Sequence, residues 1–242
     1  MIIVVIPVAI VVAIVSLPWV NGYLTLIRGE GIHAKPVPLL PFAVAMIAAF
    51  VAVTAPIGDD WHLLPLLVGT TALVSVSATD VRSYRIANRI LFPSLAASLA
   101  TMVIISLAPG DLDDLGRALI GAAVFSGLLG VIRIISPAGM GFGDVKLALL
   151  LGLLLGWVAT SGTGLIRLLA AAMLVASLLG VVNGMLLATL RRVTGKNLLP
   201  DPDADPDAPP PAMLKTHFPF GPGLAFGTVF ALALHESIVP GL

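Results

Sequence analysis

The sequence predicts an all-α membrane protein, a polytopic bundle of about eight transmembrane helices. Of its 242 residues, 58% are hydrophobic and 11% are charged, and the mean hydropathy is +1.08. These values lie outside the range typical of soluble domains. Apolar runs of roughly 20 residues, the length that crosses the hydrocarbon core, recur along the chain. The expected surroundings are a lipid bilayer. The formal net charge of zero gives no reason to expect a nucleic-acid partner.

Eight apolar runs mark the predicted spans. The first lacks a basic leading segment and a small-residue cleavage site, so we interpret it as a retained span and not as a signal peptide. A tight turn at 58–60 is expected to separate the second span from the third. The predicted spans are residues 2–20, 39–57, 61–79, 86–108, 116–136, 145–159, 165–190 and 218–239.

The positions of the basic residues predict the orientation of these spans. Of the 13 Lys and Arg residues, 11 lie in segments 21–38, 80–89, 133–146 and 191–217. Because cytoplasmic loops of membrane proteins are enriched in Lys and Arg, we expect these segments inside and both termini outside a cell membrane. The last segment contains residues 194–217, where Asp alternates with Pro. It is expected to be a disordered or extended cytoplasmic loop, with a tolerated surface insertion as the simplest role.

Two acidic residues on the predicted cytoplasmic side lie against span ends. Asp80 closes the third span and Asp144 opens the sixth, after the glycine-rich turn Gly139 to Gly143. Two neighbouring carboxylates share a proton, so that one serves as general base on water while the other protonates a carbonyl oxygen. This pattern favours the chemistry of an aspartic peptidase.

Each acid also has a simpler interpretation. Asp144 stands where a helix N-cap accepts backbone N–H bonds. Asp80 could be a solvated charge that pairs with Arg82 or Arg85. Without Cys and with only four dispersed His residues, the sequence predicts neither a metal site nor an organic cofactor.

A stripe of small residues follows Asp144 at intervals of four. Ala148, Gly152 and Gly156 would let a neighbouring helix approach closely. If that neighbour is the third span, the stripe would bring Asp80 and Asp144 together. Ordinary helix packing without a catalytic purpose explains the glycines equally well.

Three motifs resemble those of the type IV prepilin peptidase family, membrane aspartic peptidases of the Gly-x-Gly-Asp class. The first runs from Gly141 through Gly143 and Asp144 to Lys146 and Leu147. The second is Asp80 followed by Ile86-Ala87-Asn88, where the family usually has Ile-Pro-Asn. The third is Phe218-Pro219-Phe220-Gly221-Pro222, which taken alone would only start a helix.

The resemblance implies a function and a set of residues. Asp80 and Asp144 would be catalytic, and a further group would shape the site for the substrate: Asn88, Gly141, Gly143, Lys146, Pro219, Gly221 and Pro222. The substrate would be a type IV prepilin or pseudopilin, cut at the cytoplasmic face between its basic leader and its apolar helix. Lys146 could equally be a lipid-facing anchor. The oligomeric state is left open.

The resemblance also divides the chain and leaves alternatives. Residues 1–60 would form N-terminal transmembrane helices with a short cytoplasmic loop, and residues 61–242 a peptidase-like membrane domain. Larger family members carry a Cys-rich region associated with N-methylation between their first two spans, whereas Arg28 to Pro38 contains no Cys, so methyltransferase activity is not expected. A proton-coupled transporter and a non-catalytic component of a pilus or secretion assembly are the alternatives.

Overall fold

The computed structural model describes residues 2–30, 32, 34–57, 61–108, 110–137, 140–194 and 219–239. All regular structure in these ranges is helical, which confirms the predicted fold class. The helices are α1 (Ile2–Gly29), α2 (Leu39–Ile57), α3 (Leu63–Ser83), α4 (Asn88–Leu107), α5 (Asp113–Ile135), α6 (Phe142–Val158), α7 (Gly162–Thr194), α8 (Gly221–Ala233) and α9 (His235–Ile238).

The helices match the predicted spans in order but not in every length. Six of them, α1 to α5 and α7, are long and apolar enough to cross a membrane. The predicted sixth span corresponds to α6, with 17 residues. The predicted eighth span is broken at Leu234 into α8 and α9, and α8 has 13 residues. The tight turn at 58–60 and nearly all of the Pro- and Asp-rich loop lie outside the described residues.

Helix α6 lies at the centre of the bundle. From Leu147 to Trp157 nearly every side chain is buried, and the helix contacts α3, α4, α5, α7 and α8. A helix that is apolar on all sides is stable only when neighbours surround it or when lipid does. Here the neighbours are protein helices, so α6 forms the core around which the others pack.

Glycines bring α5 and α6 into backbone contact. A β-carbon on Gly152 would lie 2.1 Å from the carbonyl oxygen of Gly121, and one on Gly156 would lie 2.3 Å from that of Arg117. These two glycines of the small-residue stripe therefore face α5 and not the third span, contrary to the arrangement suggested from the sequence. The reason is that α5 carries Gly121 and Ala118 at the matching heights, which makes it the closer-fitting partner. We call this α5–α6 interface the glycine seam.

Helices α1 and α2 pack around a second, smaller apolar cluster beside α3. The connection between them is fixed by Asn21, whose side chain accepts a hydrogen bond from the Val37 N–H (2.8 Å) and donates one to the Val37 carbonyl (3.2 Å). Helix α2 also contacts α8. The division of the chain at residue 60 stays a prediction.

Candidate active site

Asp80 lies in the last turn of α3. The sequence predicts that the third span ends one residue before it, at residue 79. The helix continues to Ser83 and stops at Tyr84, which adopts a left-handed conformation (φ 54°) and donates its N–H to the Asp80 carbonyl oxygen (2.7 Å). The Asp80 residue is only 4% exposed. The alternative interpretation of Asp80 as a solvated surface charge is therefore wrong, and Arg85 instead approaches Glu30 (4.0 Å).

Asp144 lies in the first turn of α6 and is 7% exposed. Its Oδ2 accepts a hydrogen bond from the Gly141 N–H (3.2 Å), and its own N–H donates to the Gly141 carbonyl (3.2 Å). The interpretation of Asp144 as the N-cap itself is therefore wrong, because Gly141 is the N-cap and Asp144, at the third helical position, reaches back to its N–H. This hydrogen bond fixes the carboxylate at this end of the bundle.

The third motif approaches Asp80 from the start of α8. The Gly221 N–H donates a hydrogen bond to Oδ2 of Asp80 (3.1 Å). A β-carbon on Gly221 would lie 2.7 Å from that same oxygen, so a larger residue would push the carboxylate away. Residues separated by 141 positions in the chain meet here because α8 begins at the level where α3 ends.

Ile86 lies between the two glycine motifs. A β-carbon on Gly143 would lie 2.6 Å from Cγ1 of Ile86, and one on Gly221 would lie 3.0 Å from Cδ1 of the same side chain. Ile86 therefore contacts the residue before Asp144 and the residue that binds Asp80. Ile86 belongs to the second sequence motif, but an apolar side chain carries no recognisable chemistry, so the sequence predicts no role for it.

Asp80 and Asp144 therefore lie at the same end of the bundle, where Ile86 contacts both the residue before Asp144 and the residue that binds Asp80. Each carboxylate binds one backbone N–H through Oδ2, and no described residue donates to either Oδ1. Within the described part of the chain, each acid thus has one oxygen bound by a backbone N–H and one oxygen without a protein donor. Such a pair can accept one proton and donate another in the same reaction.

The other predicted site residues differ in their surroundings. Lys146 packs over the rings of Phe142 (5.0 Å) and Phe92 (5.9 Å), contacts that hold its ammonium group by cation–π attraction. Asn88 is exposed at the start of α4, Pro219 precedes α8, and Pro222 is in its first turn. Ala148 is buried in α6, and with Gly152 and Gly156 it lies farther along that helix.

The described residues contain no cluster of three or more His, Cys, Asp or Glu side chains that could hold a metal ion. Asp80 and Asp144 have backbone N–H groups beside them, which are hydrogen-bond donors and not metal ligands.

Comparison with known proteins places this geometry in context. The model of a family described as the Type IV leader peptidase family matches residues 67–187, which include both acids and the glycine seam. No solved structure matches the chain.

Curated relatives named prepilin leader peptidase/N-methyltransferase match the chain, among them proteins from three genera. The chain is 28% identical to the Bacillus subtilis protein over 190 residues, 78% of this chain and 63% of the relative. It is 30% identical to the Aeromonas salmonicida protein over 159 residues, 64% of this chain and 49% of the relative. It is 26% identical to the Pseudomonas aeruginosa protein over 205 residues, 84% of this chain and 60% of the relative. The chain thus spans about half to three fifths of these relatives.

Proposed function

Because the chain belongs to the type IV leader peptidase family, we propose that it is an aspartic endopeptidase that removes the leader of a type IV prepilin or pseudopilin. The observation that carries this proposal is the pair Asp80 and Asp144, buried at one end of the bundle, each with one oxygen fixed by a backbone N–H and one to which no described residue donates. The names of the curated relatives support the choice of substrate.

The reaction needs one protonated and one ionised carboxyl group. The ionised group takes a proton from water while the water oxygen bonds to the scissile carbonyl carbon. The protonated group gives its proton to the carbonyl oxygen, so that a neutral tetrahedral diol forms. The C–N bond then breaks as the acid that took the proton from water gives it to the leaving nitrogen. A hydroxyl of the diol returns its proton to the other acid as the new carboxyl group forms, so the pair returns to its starting state.

The charge distribution supports a cytoplasmic site. Arg82 and Arg85 follow Asp80 directly, Arg133 lies in the last turn of α5 beside the start of α6, and Lys146 is in the first turns of α6. Asp113 and Asp114 begin α5 at the opposite end of the bundle. Since Lys and Arg are enriched on the cytoplasmic side, the acid end of the bundle would face the cytoplasm, with both termini outside.

The experiment that tests the proposal is cleavage of a membrane-anchored prepilin by the purified full chain in lipid nanodiscs. Wild type should shorten the precursor, with mass spectrometry identifying the new N-terminus after the basic leader. Asp80→Asn and Asp144→Asn should each lower the rate by about 10²–10⁴-fold or more, because each removes an essential proton donor or acceptor. Asp113→Asn, an exposed acid at the other end of the bundle, is the matched control and should cleave normally.

The same experiment separates the alternatives. A proton-coupled transporter or a non-catalytic assembly component would leave the precursor intact with wild type. Loss of activity in only one of the two Asn variants would remove the other acid from the pair. An equal loss in the Asp113→Asn variant would show that charge removal in general, and not the pair, is responsible.

The second activity in the relatives' names is not part of the proposal. The connection between α1 and α2 runs from Glu30 to Pro38 and contains no Cys. It therefore lacks the Cys-rich region that larger family members carry at this place. We expect the cleaved product to keep an unmodified amino terminus when a methyl donor is supplied, measured as the absence of a methyl mass increment.

A further inference from the structure

An apolar cavity of about 680 Å³ lies between α2, α3 and α8. Its wall on α2 consists largely of small side chains, among them Ala45, Ala48, Ala49 and Ala52. Among its described lining residues, Ser77 and Arg82 are the polar ones. We call this cavity the α2–α3–α8 groove.

One end of the groove adjoins the candidate active site. Val81 and Arg82, which follow Asp80 on α3, line it, and so does Pro222, which follows the Gly221 that binds Asp80. From this end the groove runs along α2 as far as Ala52 and along α8 as far as Ala233. These stretches correspond to about three helical turns, or about 16 Å. An apolar channel of that length therefore leads away from the carboxyl pair, parallel to the helices.

The α2 wall is shaped for contact with another helix. Ala45, Ala48, Ala49 and Ala52 recur at spacings of three and four, which places them on one face of α2. Small residues at this spacing let a helix backbone approach closely, and such contacts are a main source of helix association in lipid. A lipid chain gains nothing from this regular spacing, whereas a helix does.

We propose that the α2–α3–α8 groove docks an apolar helix of the membrane-anchored substrate, so that the peptide bond at the end of that helix reaches Asp80 and Asp144. This inference rests on the proposed function and makes the groove its specificity site. The docked helix would lie beside α3 and α8. It would not lie between α3 and α6, because Ile86 already packs there against Gly143 and Gly221.

Ala45 and Ala48 suit the test because both are exposed towards the groove, whereas Met46 and Phe50 on the same helix are buried in the α1–α2 cluster. Leucine at position 48 would fill the groove without displacing this core. Ala97 on α4 is equally exposed and does not line the groove. Ala97→Leu is therefore the matched control for Ala48→Leu.

The first measurement compares two substrates of the full chain in nanodiscs. One is the anchored precursor, and the other is a short peptide that contains the cleavage site but no apolar helix. Ala48→Leu should raise KM for the anchored precursor at least tenfold and leave kcat/KM for the peptide within twofold of wild type. Ala97→Leu should change neither. Equal effects of Ala48→Leu on both substrates, or none on either, would overturn the proposal.

The second measurement is independent of turnover. The chain contains no Cys, so Ala48→Cys introduces a single thiol, and Ala97→Cys does the same at the control position. A precursor with one Cys in its apolar helix should form a disulfide with the Ala48→Cys chain under copper–phenanthroline oxidation, and not with the Ala97→Cys chain. Disulfide formation requires Cα atoms about 4.4–6.8 Å apart, so it reports direct contact.

The two measurements distinguish the two proposals. If wild type cuts neither substrate, the peptidase function fails, while the cross-link still decides whether the groove docks a helix. If wild type cuts both substrates but cross-linking is equal at positions 48 and 97 or absent at both, the docking proposal fails and the peptidase function stands.

Discussion

Glycines in two regions of the molecule meet different kinds of atoms. In the glycine seam, β-carbons on Gly152 and Gly156 would collide with backbone carbonyls of α5 at 2.1 and 2.3 Å. At the acid end, a β-carbon on Gly143 would collide with the Ile86 side chain at 2.6 Å. A backbone moves only with its whole helix, whereas a side chain can change rotamer. The seam therefore sets the position of α6, and the acid end sets the position of the carboxylates.

The largest effect should come from Gly152→Ala. Its new methyl group would meet the Gly121 backbone, so α5 and α6 would have to separate along their length. Overpacking of a tight core typically costs about 1–3 kcal/mol and occasionally more, and we expect the upper part of this range. The free energy of unfolding, measured by denaturant titration in detergent with circular dichroism, checks the prediction.

Gly130→Ala is the control within the same pair of helices. A β-carbon on Gly130 of α5 would meet Val145 Cγ1 at 3.8 Å, an ordinary contact. Because alanine favours a helix over glycine by roughly 0.5–1 kcal/mol, this variant should be as stable as wild type or slightly more stable. A loss of stability equal to that of Gly152→Ala would contradict the assignment of the seam.

A smaller effect on stability, with a larger one on activity, should follow from Gly143→Ala. The new methyl group would press on Ile86 and shift the turn that carries Asp144, so cleavage should fall at least tenfold while the unfolding midpoint changes little. Ile86→Ala removes Cγ1, the nearest colliding atom, and keeps Cβ, which would lie 2.9 Å from the new methyl group, so the relief should be partial. The double variant should therefore cleave faster than Gly143→Ala alone, a coupling that a double-mutant cycle measures.

Gly141→Ala provides the contrast at the acid end. Gly141 has φ −72° and ψ 147°, values that alanine adopts freely. The nearest atom to its β-carbon would be Asp144 Oδ2 at 3.4 Å, and its contribution to the site is made by the backbone N–H. We expect cleavage close to the wild-type rate. A loss as large as that of Gly143→Ala would show that the turn tolerates no side chain at either position.

The order of the helices and the family could be predicted from the sequence. Apolar runs record which segments avoid water, and the three motifs carried the family resemblance, which the family match confirms. The substitution of Ala87 for the usual proline could be judged only in part. Ala87 has φ −71°, within the range that a proline ring imposes. The turn therefore keeps a proline-compatible shape without proline.

Which helices pack against each other could not be predicted in the same way. Periodicity identifies a small-residue face on α6, but in an apolar chain every neighbour presents suitable hydrocarbon, so the sequence did not distinguish α3 from α5. The presence of Gly121 on α5 was the available signal. Ile86 and the α2–α3–α8 groove were missed because their roles depend on shape, and no ionisable group marks them.

The smallest effect should come from Trp157→Phe, at the end of α6 beyond the glycine seam. The Trp157 Nε1–H donates a hydrogen bond to the His62 carbonyl (2.9 Å), which ties this end of α6 to the start of α3. Losing one such bond costs about 0.5–1.5 kcal/mol of unfolding free energy. Cleavage should be unchanged because the acids lie at the opposite end of the helix.

Trp61→Phe is the matched control, because Trp61 is 75% exposed whereas Trp157 is 3% exposed. It should leave the unfolding midpoint unchanged. Combining Trp157→Phe with Gly152→Ala sharpens the comparison, since both act on the position of α6. If the seam alone determines that position, Gly152→Ala displaces α6 and already breaks the hydrogen bond of the Trp157 indole. The double variant should then lose less unfolding free energy than the two single variants lose together. Simple additivity would instead show that the two ends of α6 are held independently.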